Sequence, residues 1–117
     1  MLPVRSRLRR ASEIREVGRS GVRRSRIGLS VAVLVGPDDR SPRATVVVNK
    51  KVGGAVVRNR LRRQVRHGLI RIWDEIPPGA QIVVRAQAAA RELDPADLDE
   101  HLVGAVRSAT ASRRAVR

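Results

Sequence analysis

The sequence predicts an α+β fold, a sandwich of helices on a small sheet with the element order α-β-β-α-β-α. Three observations predict it. Apolar residues recur at helical spacing in three separate windows, apolar runs rich in valine lie between them, and glycine or proline marks most of the joints. At 117 residues the chain is expected to form a single domain over residues 1–117. A composition 42% hydrophobic and 31% charged is globular rather than disordered.

Leu8, Ala11, Ile14 and Val17 recur every third residue and predict a first helix over residues 8–18, with Ser12 or the glycines from Gly18 to Gly21 marking its ends. In residues 27–35, Ile27, Leu29, Val31, Val33 and Val35 alternate with Gly28, Ser30, Ala32 and Leu34, the period of a half-buried strand. Residues 36–42, with Gly36, Pro37, Asp38, Asp39 and Pro42, are a turn by composition. Residues 43–49 surround Val46-Val47-Val48 and form a second strand, expected to pair with the first as an antiparallel hairpin. Gly53-Gly54 lets the chain leave that strand and start a helix near Ala55. Val57, Leu61, Val65, Leu69 and Ile72 then fall on one stripe, with Asn59, Arg62, Arg63 and Arg66 on the other side and Arg58 at the boundary. Pro77-Pro78-Gly79 ends the region, and residues 81–86, around Ile82-Val83-Val84, are a third strand. Asp94 caps a last helix with Pro95 in its first turn and Asp97 near the positive end of its dipole. Leu98, Leu102, Ala105 and Ala109 continue that helix, and residues 112–117 are expected to fray.

Charge decides the class of partner. The net charge is +14, and only Lys50 and Lys51 among the 25 basic residues are lysine. Arginine grips phosphate with two parallel donors and stacks on bases, which favours nucleic acid over a membrane surface. Residues 50–73 hold eight Lys or Arg residues and no acid. Arg58, Arg62 and Arg66 stand four residues apart, so their guanidinium groups form a row about 12 Å long on one helix face. Such a row can follow a phosphate backbone, with Asn59 able to bond a sugar hydroxyl or base edge. A merely solvated basic face is the plainer alternative, but no acid alternates with these arginines to form intrahelical pairs.

Other classes are excluded or disfavoured. Without cysteine there is no disulfide or thiolate metal site, and His67 and His101 lack ligand spacing. Residues 1–7 lack the apolar core of a secretion signal, and the longest uncharged run, residues 27–36, is far short of the roughly 20 residues of a membrane span. A cytoplasmic protein with no membrane or DNA partner is expected, since no helix-turn-helix or zinc framework is visible. The acids Asp38-Asp39, Asp74-Glu75 and Glu92, Asp94, Asp97, Asp99, Glu100 sit in turns or at a helix start, so no catalytic or metal-binding residue is expected. His67 is assigned a rim hydrogen bond to phosphate rather than general-base chemistry. A non-enzymatic RNA-binding module, such as a ribosomal protein or RNA chaperone, fits the charge and the α+β pattern.

The stretch Lys50-Lys51-Val52-Gly53-Gly54-Ala55-Val56-Val57-Arg58-Asn59-Arg60-Leu61-Arg62-Arg63 resembles the signature of the bacterial ribonuclease P protein component. The basic opening at residues 3–10, the strand at 82–86 and the helix at 94–107 are similar too. The resemblance implies a left-handed crossover between the second and third strands, where general rules give a right-handed one. It implies a catalytic RNA subunit that holds Mg²⁺ and removes the 5′ leader of precursor tRNA, the protein gripping that leader. By the same resemblance Lys50, Lys51, Arg58, Asn59, Arg60, Arg62, Arg63 and Arg66 contact RNA, together with Arg9 and Arg10. A cleft between the first helix and the sheet, with Ile14, Val17 and Ala32, receives the leader. One departure stands out: family members commonly carry aromatic residues where this chain has Ile14, Gly18 and Ala32. Phe and Tyr are absent altogether, and the single Trp73 is expected in the core.

Overall fold

The computed structural model describes residues 7–8, 10–36 and 40–115, with side chains as far as Ser112. Helix α1 (Ala11–Ser20) leads into strands β1 (Val22–Arg26), β2 (Leu29–Val35) and β3 (Arg43–Val48). A 3-10 turn at Lys50–Val52 precedes helix α2 (Ala55–Arg71), and strand β4 (Ala80–Ala86) and helix α3 (Pro95–Ala115) complete the chain. The α+β class holds, with one strand more than the sequence predicted. Strand β1 reads Val-Arg-Arg-Ser-Arg, and its arginines conceal the strand period because only Val22 is a large apolar residue. Between β1 and β2, Gly28 takes a φ of 83°, a left-handed value that glycine adopts freely. Ile27, expected to open the strand, is instead at the tip of this turn and 66% exposed.

The four strands lie in the order β1-β2-β4-β3, so the antiparallel hairpin expected between residues 27–35 and 43–49, here β2 and β3, does not form. Strand β4 comes between them, antiparallel to β2 and parallel to β3. Burial explains the arrangement: Ile82, Val83 and Val84 are all buried, so β4 is apolar on both faces and belongs in the sheet interior. Strand β3 alternates buried and half-buried residues, and the N-terminal segment ties onto it where Leu8 N–H donates to the Ala44 carbonyl at 2.8 Å. The parallel β3–α2–β4 crossover places the Arg-rich helix beside the sheet.

Two cores result. The larger sets Leu29, Val31, Val33, Val46, Val48, Ile82 and Val84 against Leu61, Val65 and Leu69 of α2 and Leu98 and Leu102 of α3. At Gly68 the helices come so close that a Cβ would lie 2.6 Å from Leu102 Cδ2. On the opposite face α1 covers a smaller cluster of Leu8, Val17, Ala32 and Val83. Leu8 belongs to that cluster but not to the helix, which begins at Ala11 rather than at residue 8. Trp73 follows α2 and packs half-buried against the larger core, where the sequence placed it. Helix α3 continues to Ala115, past the Ser112 expected to begin a frayed tail. Arg24 of β1 donates to Ser108 at 3.0 Å and to Ser112, which holds that last stretch against the sheet edge. No helix among the described residues is long and apolar enough to cross a membrane.

Candidate nucleic-acid interface

The interface is built outward from the start of α2. Asn49 Oδ1 accepts the Lys51 backbone N–H at 2.9 Å, and buried Val52 anchors the 3-10 turn that points the chain into the helix. No acid sits in the first turn of α2, so its positive dipole end is uncompensated by side chains. Leu61, Val65, Gly68 and Leu69 face inward. That fixes Arg58, Arg62 and Arg66 on one flank, all half-buried, while Arg60, Arg63 and His67 are exposed toward the crest. Lys50 and Lys51, both exposed, extend the basic surface past the helix start.

The flank arginines sit where a cation is costly. Burial pushes the Arg66 guanidinium pKa below its ordinary value, and the like charges of Arg7 and Arg62 add to the shift. Arg58 Nε is buried without a hydrogen-bond partner. Asn59 Oδ1 accepts from Arg62 Nη1 at 3.0 Å, so the amide positions a guanidinium rather than standing independently. The acids meanwhile pair elsewhere: Glu13 with Arg43 at 3.0 Å, Glu75 with Arg107 at 2.8 Å, Glu16 with Arg19 and Asp99 with Arg71. Among the described residues no carboxylate pairs with Arg58, Arg62 or Arg66. A row of partly desolvated cations without counter-charge is relieved by an anion, and its spacing suits a chain of phosphates.

The remaining expected site residues fall less uniformly. Arg10 is exposed at the start of α1, and Arg9 lies outside the described residues, as do Asp38 and Asp39. Ile14 is half-buried beside the smaller core. Val17 and Ala32 do not line an open cleft: they are 0% and 5% exposed and pack together beneath α1. Val17 of α1 thus packs directly against Ala32 and Val83 of the sheet. His67 lines a shallow recess with Asn59, Arg62, Arg63, Arg66 and Ile70 on the crest of α2. Among the described residues no group of three or more His, Cys, Asp or Glu comes together. Periodicity does not single out Arg7, which is tied to β3 and adds its like charge to Arg66, or Arg85, an exposed arginine that follows the buried Ile82-Val83-Val84 run of β4. An arginine inside an apolar strand run was a visible signal for the second.

Residues 2–110 match the family model described as Ribonuclease P. The chain is 39% identical over 110 residues to the ribonuclease P protein component of Mycobacterium sp. (strain KMS), covering 93% of each chain. It is 40% identical over 114 residues to the ribonuclease P protein component of Streptomyces bikiniensis, covering 91% of this chain and 93% of the other. Among solved structures it is similar to the RNase P protein of Thermotoga maritima, with a TM-score of 0.74 and 30% identity over 86% of this chain and 94% of that one. The RNase P protein of Staphylococcus aureus superposes with a TM-score of 0.82 over 89% and 94% of the two chains; at 20% identity this shows the shared fold alone.

Proposed function

The chain belongs to the ribonuclease P protein family, as the protein subunit of ribonuclease P, and from that premise we propose that it acts by binding RNA rather than by carrying the catalytic groups. In this reading a catalytic RNA subunit holds the Mg²⁺ and hydrolyses the bond at the mature 5′ end of precursor tRNA. The protein docks on that RNA through α2 and grips the 5′ leader, and the assembly works in the cytoplasm. The observation that carries the proposal is the uncompensated row of Arg58, Arg62 and Arg66, at the signature positions, on a helix whose inner stripe is locked into the core. A rigid helix holds the guanidinium groups in register with a phosphate chain, and each phosphate neutralised releases counterions.

The test is cleavage of precursor tRNA at low Mg²⁺ by the cognate RNA subunit alone, by the protein alone and by both. Activity confined to the mixture, and abolished by Arg58→Ala with Arg62→Ala, supports the reading. Cleavage by the protein alone would overturn it.

A further inference from the structure

Strand β1 forms one edge of the sheet, and what that edge offers is almost wholly hydrogen-bond donors. Its pairs with β2 end at Arg26 and Leu29, on either side of the Ile27-Gly28 turn. In an antiparallel ladder residues bonded to the partner alternate with residues facing away, so Arg23 and Ser25 direct their backbone groups outward. Both outward carbonyls are already taken. Arg24 Nη1 donates to the Arg23 carbonyl at 2.9 Å, and Arg26 Nη1 donates to the Ser25 carbonyl at 3.1 Å. With guanidinium groups folded over its carbonyls, the edge is closed to a further strand, whether from a peptide or from a second copy of this chain.

The same contacts hold positive charge in place. Arg24 is fixed by Ser108 and Ser112 of α3, and Arg26 passes over Gly104, where a Cβ would lie 4.0 Å from its Nε. Arg23, on the other face of the strand, donates through Nη2 to the Gly18 carbonyl at 2.9 Å. Every one of these acceptors is neutral, and among the described residues no carboxylate pairs with Arg23, Arg24 or Arg26. A guanidinium has five N–H groups, and these contacts leave each of the three with donors to spare. Arg23 and Arg26 are exposed, and three residues of strand set them about 10 Å apart. No aromatic ring lies on β1 to stack an unpaired base.

We infer that the β1 edge is a second RNA contact, which takes the sugar-phosphate backbone of a paired segment of the RNA subunit. Donors without acceptors fit phosphate, and the lack of a stacking ring fits a helix whose bases are already paired rather than an unpaired strand. The inference rests on the function proposed above, since its partner is the RNA subunit. The edge is separate from the basic row of α2. That helix packs on β3 at the opposite side of the sheet, three strand spacings or about 14 Å from β1, with α3 between the two on the same face. The protein therefore stands between two RNA segments and fixes the distance between them.

The experiment is hydroxyl-radical footprinting of the RNA subunit reconstituted with full-length protein, with affinity measured across a salt series. Arg23→Gln with Arg26→Gln changes two exposed residues and should leave the melting temperature of the free protein unchanged. This double variant is expected to lose protection at one paired segment and keep the segment that α2 protects. Arg58→Ala with Arg62→Ala is expected to do the reverse. Affinity of the double variant for the RNA subunit should fall by roughly thirtyfold at 0.1 M salt and by little near 1 M. Arg23→Lys with Arg26→Lys, which keeps the charge, should retain most of the protection. Protection unchanged in the double variant, or lost at both segments alike, would overturn the edge contact. So would a loss of affinity confined to leader-bearing precursor tRNA. A wild-type protein that protects no part of the RNA subunit would overturn the proposed function as well, which separates the two failures.

Discussion

Arg66→Met isolates the cost of the basic row from its use. In the free protein the Arg66 charge is disfavoured by burial and by Arg7 and Arg62, so replacing it with a neutral side chain of similar length removes a repulsion. A like-charge pair at four-residue spacing costs about 0.2–0.5 kcal/mol, and Arg7 adds a second repulsion of the same kind. The variant should therefore be more stable by roughly 0.5–1 kcal/mol, a rise in melting temperature of about 2–5 °C for a domain of this size. In complex with RNA the sign reverses. Each phosphate contact contributes about 0.7–0.9 to the slope of log affinity against log salt, so Arg66→Met should flatten the slope by about that amount. Removing Arg58, Arg62 and Arg66 together should flatten it by about 2–3, which at 0.1 M salt is roughly a hundredfold loss or more, shrinking toward nothing near 1 M. Thermal melts and fluorescence anisotropy across a salt series measure both halves. A variant that is less stable, or that loses the same affinity at every salt concentration, would refute the argument that this row is an unpaired phosphate track.

Sulfate or a short leader-like oligonucleotide should raise the melting temperature of the wild type, by about 2.7 kcal/mol of stabilisation at a hundred times its dissociation constant, and raise that of the triple arginine variant less. Gly28→Ala should destabilise by about 1–3 kcal/mol in denaturant titration, because φ is 83° there and a Cβ would lie 2.8 Å from the Ala90 backbone. Leu69→Ala should cost about 2–5 kcal/mol in the same assay, since the side chain is fully buried between helix and sheet. Hydrogen bonds from Arg107 hold the Glu75 pKa below its ordinary value of 4.5. The contribution of that pair is present above the ordinary value and lost as pH falls through the lowered one, so Glu75→Gln should flatten the acid limb of the stability profile. Ile14→Phe should prop α1 away from the sheet and change affinity across a set of leader sequences; an unchanged profile would show that α1 does not border the leader path.

What could be read along the chain was whatever depends on near neighbours. The stripe of Val57, Leu61, Val65 and Leu69 specifies α2 and turns its arginines outward, and the ungapped signature from Lys50 to Arg63 identifies the family before any contact is known. Strand order escaped because it depends on burial summed over both faces of the sheet. Strand β4 takes the centre because its middle residues Ile82, Val83 and Val84 are buried on both faces, and it parts β2 from β3 although these follow one another in sequence. Strand β1 was hidden by its arginines, since a strand edge tolerates charge that a period-two reading penalises. The same nonlocal pairing reshaped the candidate site. Packing of α1 closed the surface around Val17 and Ala32, and the strand order put β1, with Arg24 and Arg26, at the sheet edge far from α2. Periodicity and charge are properties of a segment, whereas a sheet edge exists only once the strands have found their order.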